Sequence, residues 1–346
     1  MNEENLRVAI AGCHRMLDQV SRGHNWANAF ARVPETEVVA VFDKDSQTRN
    51  KFQSVWNSKW PNLLTYDNYA KMLTETRPDI VCIATRQTLH EEQIISAVNL
   101  GVKGIACEKP FATSLEETDR IISICEEKNV SFAFLLDRRW MKPHRKVCEL
   151  IKEGIIGEVR TIVGYGAPNL INHGCHWYDM AFALAGDVEP IWVNGYVQGL
   201  QDQDSGSQKN LDPPGRVTIK LTNGCFIHIL PDGFGVQFSV IGSEGYLVTL
   251  NDFQRVDYWK HDALDDPVTI DFQDVRNDWL AGPSAISDLV QSVRFGSKTS
   301  CDIEETRRAT EIGFAVYASN QQDGVIVPMP TKNRNIQVNS LPWGNE

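Results

Sequence analysis

Short apolar runs alternate with amphipathic segments through the N-terminal part of the chain. LRVAIAG (residues 6–12) is the first run and ends on a glycine. EVVAVFD (37–43), PDIVCIAT (78–85), KGIACEKP (103–110) and SFAFLLD (131–137) repeat its character. Between them, WANAFARV (26–33), DNYAKMLTETR (67–77), LHEEQIISAVNLG (89–101) and SLEETDRIISICEEKN (114–129) carry apolar residues at helical spacing. Ser114 with Glu117 three positions on reads as a capping box opening the last of these helices. Strands that alternate with helices of this length predict βαβ units, a parallel sheet and the doubly wound Rossmann form. In that form ligands bind at the carboxyl ends of the strands.

The pattern changes near Arg139. PHRKVCELIKEGIIGE (143–158) reads as a helix stopped near Gly154. VRTIVGYG (159–166), PIWVNGYVQGL (190–200), GRVTIKLTNGCFIHIL (215–230), FSVIGSEGYLVTL (238–250), RVDYWK (255–260) and PVTIDF (267–272) read as strands separated by turn signals such as TNG and SEG. HWYDMAFALAG (176–186) interrupts them as a helix, and AISDLVQSVRFG (285–296) and EETRRATEIGFAVYASNQ (304–321) close the chain helically. The expectation is a dinucleotide-binding domain over residues 1–138 and an α+β domain with a largely antiparallel open sheet over residues 139–346. DQDSGSQKNLDPPG (202–215) is the expected mobile loop.

Composition narrows the classes. A chain of 346 residues with an ordinary apolar fraction supports two cores without staples. A net charge of −11 argues against a general nucleic-acid or acidic-membrane binder, which needs a basic surface. No apolar run approaches a membrane span and no secretory signal is evident, so a cytoplasmic protein is expected. Eight cysteines without C-x-x-C pairing read as buried free thiols.

The candidate chemistry begins after the first strand. A dinucleotide site would place G-x-G-x-x-G there. Gly12 is present, but His14 and Leu17 stand in the other glycine positions. Glycine at the second place lets backbone approach a pyrophosphate, so the tight turn must be replaced by a longer loop, MLDQVSRG, before the helix. Ser21, Arg22 or Asn25 would start that helix, and His14 and Arg15 would contact phosphate directly. Asp43 ends the second strand, where an acid accepts the ribose hydroxyls and repels a 2′-phosphate, favouring NAD over NADP; a turn aspartate is the plainer alternative. Lys109 closes the fourth predicted strand beside Glu108 and Pro110, in the ligand crevice or as a solvated turn charge. NLINHGCHWYDMAFALAGD (169–187) gathers polar residues at a helix start. His173, His176 and Asp179 at spacings of three share a face. They suit a general base at His176, a metal site with Cys175, or helix-capping polar residues. Asp137, Arg138, Arg139 and Trp140 lead a local basic cluster suited to a carboxylate or polyhydroxy ligand, or to salt bridges.

Taken together, PDIVCIATRQTLHEEQIISAVNLGVKGIACEKPFATSLEETDRI, DRRWMKPHRKVCELIKEGIIGEVRTI and NHGCHWYDMAFALAG resemble the Gfo/Idh/MocA oxidoreductases, glucose–fructose oxidoreductase and inositol dehydrogenase among them. EKP carries most of that resemblance. It implies a Rossmann domain, a C-terminal sheet domain for substrate and oligomer contacts, a nicotinamide cofactor and hydride transfer at a secondary carbinol. Lys109 matches the family's catalytic lysine, and His176 the general base of its D-x-G-x-H-x-x-D motif, with Gly174 and Asp179 also matching. Asn172 replaces the acid that opens the motif. It keeps hydrogen-bonding reach without ionising, which lowers support for a protonated His176. Arg86-Gln87 stands where the family has Pro-Asn, and Asp137 where it has Asn.

The resemblance thus implies catalytic roles for Lys109, His176 and Asn172. Gly12, His14, Arg15, Asp43, Thr85, Arg86, His90, Glu108 and Lys109 would hold the cofactor. Arg138, Arg139, Trp140, Asn172, His173 and His176 would hold the substrate, with no metal. The expected function is an NAD-dependent oxidoreductase of a sugar, sugar acid or cyclitol, with a variant that recycles a tightly held cofactor. The expected assembly is a homodimer or homotetramer. A non-catalytic nucleotide- or sugar-binding sensor on the same fold is the alternative.

Overall fold

The computed structural model describes residues 4–198, 212–272 and 279–338. The chain divides into two compact units: residues 1–112, 117–140 and 276–306 form the first, and residues 113–116, 141–275 and 307–346 the second. The chain therefore leaves the first unit near the expected boundary but returns to it for residues 276–306, which sequence reading had assigned to the second domain.

The first unit is a six-stranded parallel sheet. Its strands are β1 (Leu6–Ala11), β2 (Thr36–Phe42), β3 (Leu64–Tyr66), β4 (Ile80–Ile83), β5 (Gly104–Cys107) and β6 (Ser131–Phe134), in the order β3-β2-β1-β4-β5-β6. The connecting helices are α1 (Trp26–Ala31), α2 (Ser46–Trp56), α3 (Tyr69–Thr76), α4 (His90–Asn99) and α5 (Leu115–Glu127). The middle strands β4 and β5 are buried at every position, as strands covered on both faces must be. The direction of strand order reverses between β1 and β4, which opens a crevice at their carboxyl ends. Hydrophobic spacing did not reveal α2 or β3. In α2 only Thr48, Phe52 and Trp56 are buried, too few to mark a face, and β3 is three residues long.

The second unit begins with α6 (Lys142–Lys152), which has a proline in its first turn and gives way to Gly154 at φ +85. β7 (Val159–Tyr165), α7 (Gly174–Leu184) and the strands β8 (Pro190–Val197), β9 (Gly215–Leu221), β10 (Phe226–Ile229), β11 (Gln237–Gly242), β12 (Gly245–Leu250), β13 (Arg255–Lys260) and β14 (Val268–Asp271) follow. The chain then returns to the first unit for α8 (Ala281–Phe295), after which α9 (Ile303–Asn320) follows and β15 (Val327–Pro328) closes the sheet. Its order is β14-β13-β12-β11-β7-β10-β9-β8-β15. Among the described residues every pairing in it is antiparallel except β10 with β7. One face alternates inward as Val193, Val217, Ile219, Ile227, Phe238, Val240 and Leu247, packed in one core with Trp177, Ala181 and Leu184 of α7 and Ile312, Ala315 and Val316 of α9. Each valine, leucine, isoleucine or phenylalanine among them contributes about 1.5–3 kcal/mol by leaving water. Residues 202–211 of the expected mobile loop lie outside the described residues. All eight cysteines are free. Among the described residues no helix is long and apolar enough to cross a membrane.

Candidate functional site

In the first unit the chain turns at Gly12, just past β1. Gly12 has φ +82, and a Cβ there would stand 2.7 Å from the Ala84 carbonyl oxygen at the end of β4. Only glycine meets both demands. The next residue, Cys13, donates its N–H to Asp43 Oδ2 at 3.1 Å, and Asp43 Oδ1 accepts the Asp45 N–H at 3.1 Å. The carboxylate at the tip of β2 is thereby oriented toward the turn that follows β1. The Cys13 thiol is pushed well up by burial and by Asp43, so it stays protonated.

Residues 13–25 form the longer loop that the missing glycines implied, and it is fastened along its length. Trp56 Nε1 donates to the Met16 carbonyl at 2.8 Å, and Gln19 Nε2 to the Val55 carbonyl at 2.7 Å. Ser21 Oγ accepts from Arg32 and from the Trp279 backbone N–H, each at 3.0 Å. Buried Asn25 donates to the carbonyls of Asp18 and Val20, and its Oδ1 caps α1 through the Asn28 N–H. Of the three candidate helix starts, Asn25 is the one used. His14 and Arg15 remain exposed on this loop, just beyond Cys13.

The EKP segment leaves β5 with Glu108 buried. Its Oε1 accepts from His24 Nδ1 and Trp26 Nε1, both at 2.6 Å, and its Oε2 accepts the Lys109 N–H at 3.1 Å. Burial pushes this carboxyl up, but His24, Trp26 and Lys109 outweigh it and hold the group below its usual range. Glu108 thus anchors the loop instead of presenting its carboxylate to a cofactor, a correction to the sequence reading. His90 needs the same correction. It has no exposed surface, and its ring lies between the carbonyls of Phe111 (3.0 Å) and Thr85 (3.2 Å), where burial lowers its pKa and keeps it neutral. Neutral, the ring donates to only one of these carbonyls and sits enclosed between the exits of β4 and β5. Thr85 Oγ1 donates to Gln93, and Arg86 is exposed beside it. Trp140 is buried with its indole N–H on Asp288, so it too is a support and not a substrate contact. Asp137 accepts the indole N–H of Trp279, a reason for an acid at this position. Arg138 lies within 3.9 Å of Asp137.

The second unit holds the motif at the start of α7. Asn172, His176 and Asp179 are buried there, His176 retaining 7% exposure. Asn169 Oδ1 accepts the His173 N–H at 2.6 Å, and its Nδ2 lies 3.2 Å from His173 Nδ1. Gly174 lets this start close up, since a Cβ would stand 2.7 Å from the Asn169 carbonyl. Among the described residues, the ligand atoms of His173, Cys175, His176 and Asp179 do not gather within metal-binding distance. A residue that sequence reading missed supports this segment. Asp212 accepts the backbone N–H groups of Leu170 (3.1 Å), Ile171 (3.0 Å) and Asn172 (2.7 Å). Burial raises its pKa to about 6, against those bonds and one from Tyr317. A carboxylate therefore does serve this segment, through the backbone and from a position 40 residues downstream of Asn172. No local pattern marks so distant a partner.

Comparison with known proteins divides the chain once along the sequence, near the expected boundary, with residues 276–306 inside the C-terminal part. A family model for GFO_IDH_MocA oxidoreductases, NAD-binding Rossmann fold, matches residues 6–135, and its companion for the C-terminal alpha/beta domain matches residues 163–329. The chain is 25% identical over 210 residues to a D-xylose 1-dehydrogenase [NADP(+)] of Haloarcula marismortui, covering 53% of this chain and 56% of that protein. It is 24% identical over 229 residues to a D-glucoside 3-dehydrogenase of Escherichia coli, covering 61% of each. The chain spans 29%, 56% and 61% of the length of the first three curated relatives it matches. An oxidoreductase from Agrobacterium radiobacter, solved with NAD+, L-tartaric acid and magnesium, shares the fold with a TM-score of 0.76 at 17% identity, over 94% of this chain and 98% of that one.

Proposed function

Because the chain belongs to the Gfo/Idh/MocA oxidoreductase family, we propose that it is an NAD-dependent dehydrogenase acting on a secondary hydroxyl of a sugar, sugar acid or cyclitol. The observation that carries this reading is the junction of Gly12, Cys13 and Asp43 at the strand-order reversal. A nucleotide needs there a turn without side-chain bulk and a carboxylate for ribose hydroxyls. The open turn at Gly12 and the Asp43 carboxylate beside it support the reading although two glycines are missing. The relatives named for xylose and glucoside dehydrogenation support the substrate class.

When bound, the nicotinamide supplies the hydride acceptor. The protein's own residues do the rest. Asp43 takes the ribose hydroxyls and disfavours the extra phosphate of NADP. His14 and Arg15 hold the pyrophosphate with side chains instead of a glycine turn, assisted by Thr85 and Arg86. The Lys109 ammonium stabilises the alkoxide that forms as the hydroxyl proton leaves. His176 accepts that proton, and Asn172 holds a neighbouring hydroxyl as a neutral partner. Arg138, Arg139 and His173 complete the substrate contacts. In this reading the protein is cytoplasmic and a homodimer or homotetramer, which analytical ultracentrifugation measures.

Calorimetric titration of Asp43→Ala tests the proposal. NAD affinity should fall about tenfold or more, the equivalent of about 1.4 kcal/mol, while NADP loses less. If the variant binds NAD as tightly as the parent, the nucleotide reading of this site is wrong.

A further inference from the structure

One carboxylate joins two parts of the first unit. Glu108 Oε1 receives His24 and Trp26 from the end of the 13–25 loop and the start of α1, while Oε2 receives the backbone N–H of Lys109 as the chain leaves β5. The Trp26 indole is neutral and 1% exposed, and the Lys109 donor is backbone. Of these donors only the His24 imidazole changes charge near neutral pH. His24 is also held at φ +66, in the left-handed region that few residues other than glycine occupy. Its side chain is 36% exposed and its partner's 9%, so a proton can reach the pair while the carboxylate stays sheltered from water.

We propose that His24 is a positioning residue: its imidazolium, paired with Glu108, latches the 13–25 loop to the end of the strand that carries Lys109, and loss of its charge loosens the loop that bears His14 and Arg15. The inference rests on the nicotinamide reading only for what that loop holds; the latch itself belongs to the protein alone.

The charged groups facing His24 are Glu108, Lys109 and Arg15. Glu108 outweighs burial and both cations, so the His24 pKa lies above its ordinary value. Glu108 also faces His90, Cys82 and Cys107. Burial keeps His90 neutral and both thiols protonated, so none of them competes for the carboxylate near neutral pH. The direction follows. The charged pair is complete below the unfolded histidine value of about 6.5, and it is lost as pH rises through the raised folded value. Each unit of elevation corresponds to about a tenfold change in the opening equilibrium.

Amide hydrogen exchange of peptides covering residues 13–25, in protein without cofactor between about pH 6 and pH 9 and corrected for intrinsic rates, tests this. Loop protection in the parent should be lost progressively as pH rises over that range, while β7 peptides stay unchanged. His24→Gln keeps a donor without the charge; it should show the parent's high-pH protection at every pH. Trp26→Phe should lower protection throughout and keep the slope. A parent loop with no pH dependence, or a His24→Gln loop with the parent's slope, overturns the latch. Calorimetry with NAD at both pH extremes separates the two readings. Exchange with the expected slope but no NAD binding sinks the proposed function alone. NAD binding without the slope sinks the latch alone.

Discussion

At position 12 a methyl group has nowhere to go. The backbone sits at φ +82 and the Ala84 carbonyl closes on the space from the neighbouring strand exit. Gly12→Ala should therefore destabilise by about 2–4 kcal/mol, combining left-handed strain with an overlap that backbone cannot relieve; urea denaturation measures it. Gly12 and Asp43 were legible in the sequence because each answers a local demand: a turn after a buried strand and an acid at the next strand's tip. The roles of Glu108, His90 and Trp140 were not. Motif position put them beside a ligand, but Glu108 accepts from His24 and Trp26, the His90 ring is enclosed between the carbonyls of Thr85 and Phe111, and the Trp140 indole donates to Asp288, all of which turn them inward. Residue type and spacing do not show which way a side chain at a crevice points.

At the scale of elements, long periodic segments announced themselves and short ones did not. α4, α5 and the central strands follow directly from apolar spacing. α2 was silent because its buried face is only Thr48, Phe52 and Trp56. The start of α7 was recognisable by its motif, but the support beneath it was not. Asp212 reaches Leu170, Ile171 and Asn172 across a long stretch of sequence. Asp212→Asn places an amide N–H₂ where three backbone N–H groups need an acceptor. It should cost about 1–3 kcal/mol, measured by chemical denaturation. The pH signature is separable. Because the folded pKa is raised to about 6, ionised Asp212 costs stability above that pH, and the cost fades as pH falls toward about 4, the unfolded value. The asparagine variant should lack that component.

For the whole molecule, the proposed nucleotide site predicts a linked effect on unfolding. A ligand held only by the folded state stabilises it by about 2.7 kcal/mol at a hundredfold excess over Kd. NAD should therefore raise the melting temperature in scanning calorimetry, and NADP should raise it less. No shift with either at millimolar concentration would favour a sensor that has lost its nucleotide. The two units were legible as two composition regimes, parallel then antiparallel. The return of residues 276–306 to the first unit was not, because α8 has the spacing of any amphipathic helix. Its attachment shows in the structure: a Cβ at Gly104 of β5 would meet Val293 at 2.6 Å and Leu289 at 3.5 Å, and the Trp140 indole donates to Asp288.

That late return sets an order of events during synthesis. When the ribosome has released β6, every strand of the parallel sheet exists, yet the helix that lies on β5 has not been made. At about 5–20 residues per second, the stretch from position 140 to position 306 takes on the order of ten to thirty seconds. Through that interval the nascent sheet carries an uncovered apolar face, in a chain whose second unit is still emerging. The N-terminal unit is thus begun first and finished late, and chaperone protection is most needed in that interval.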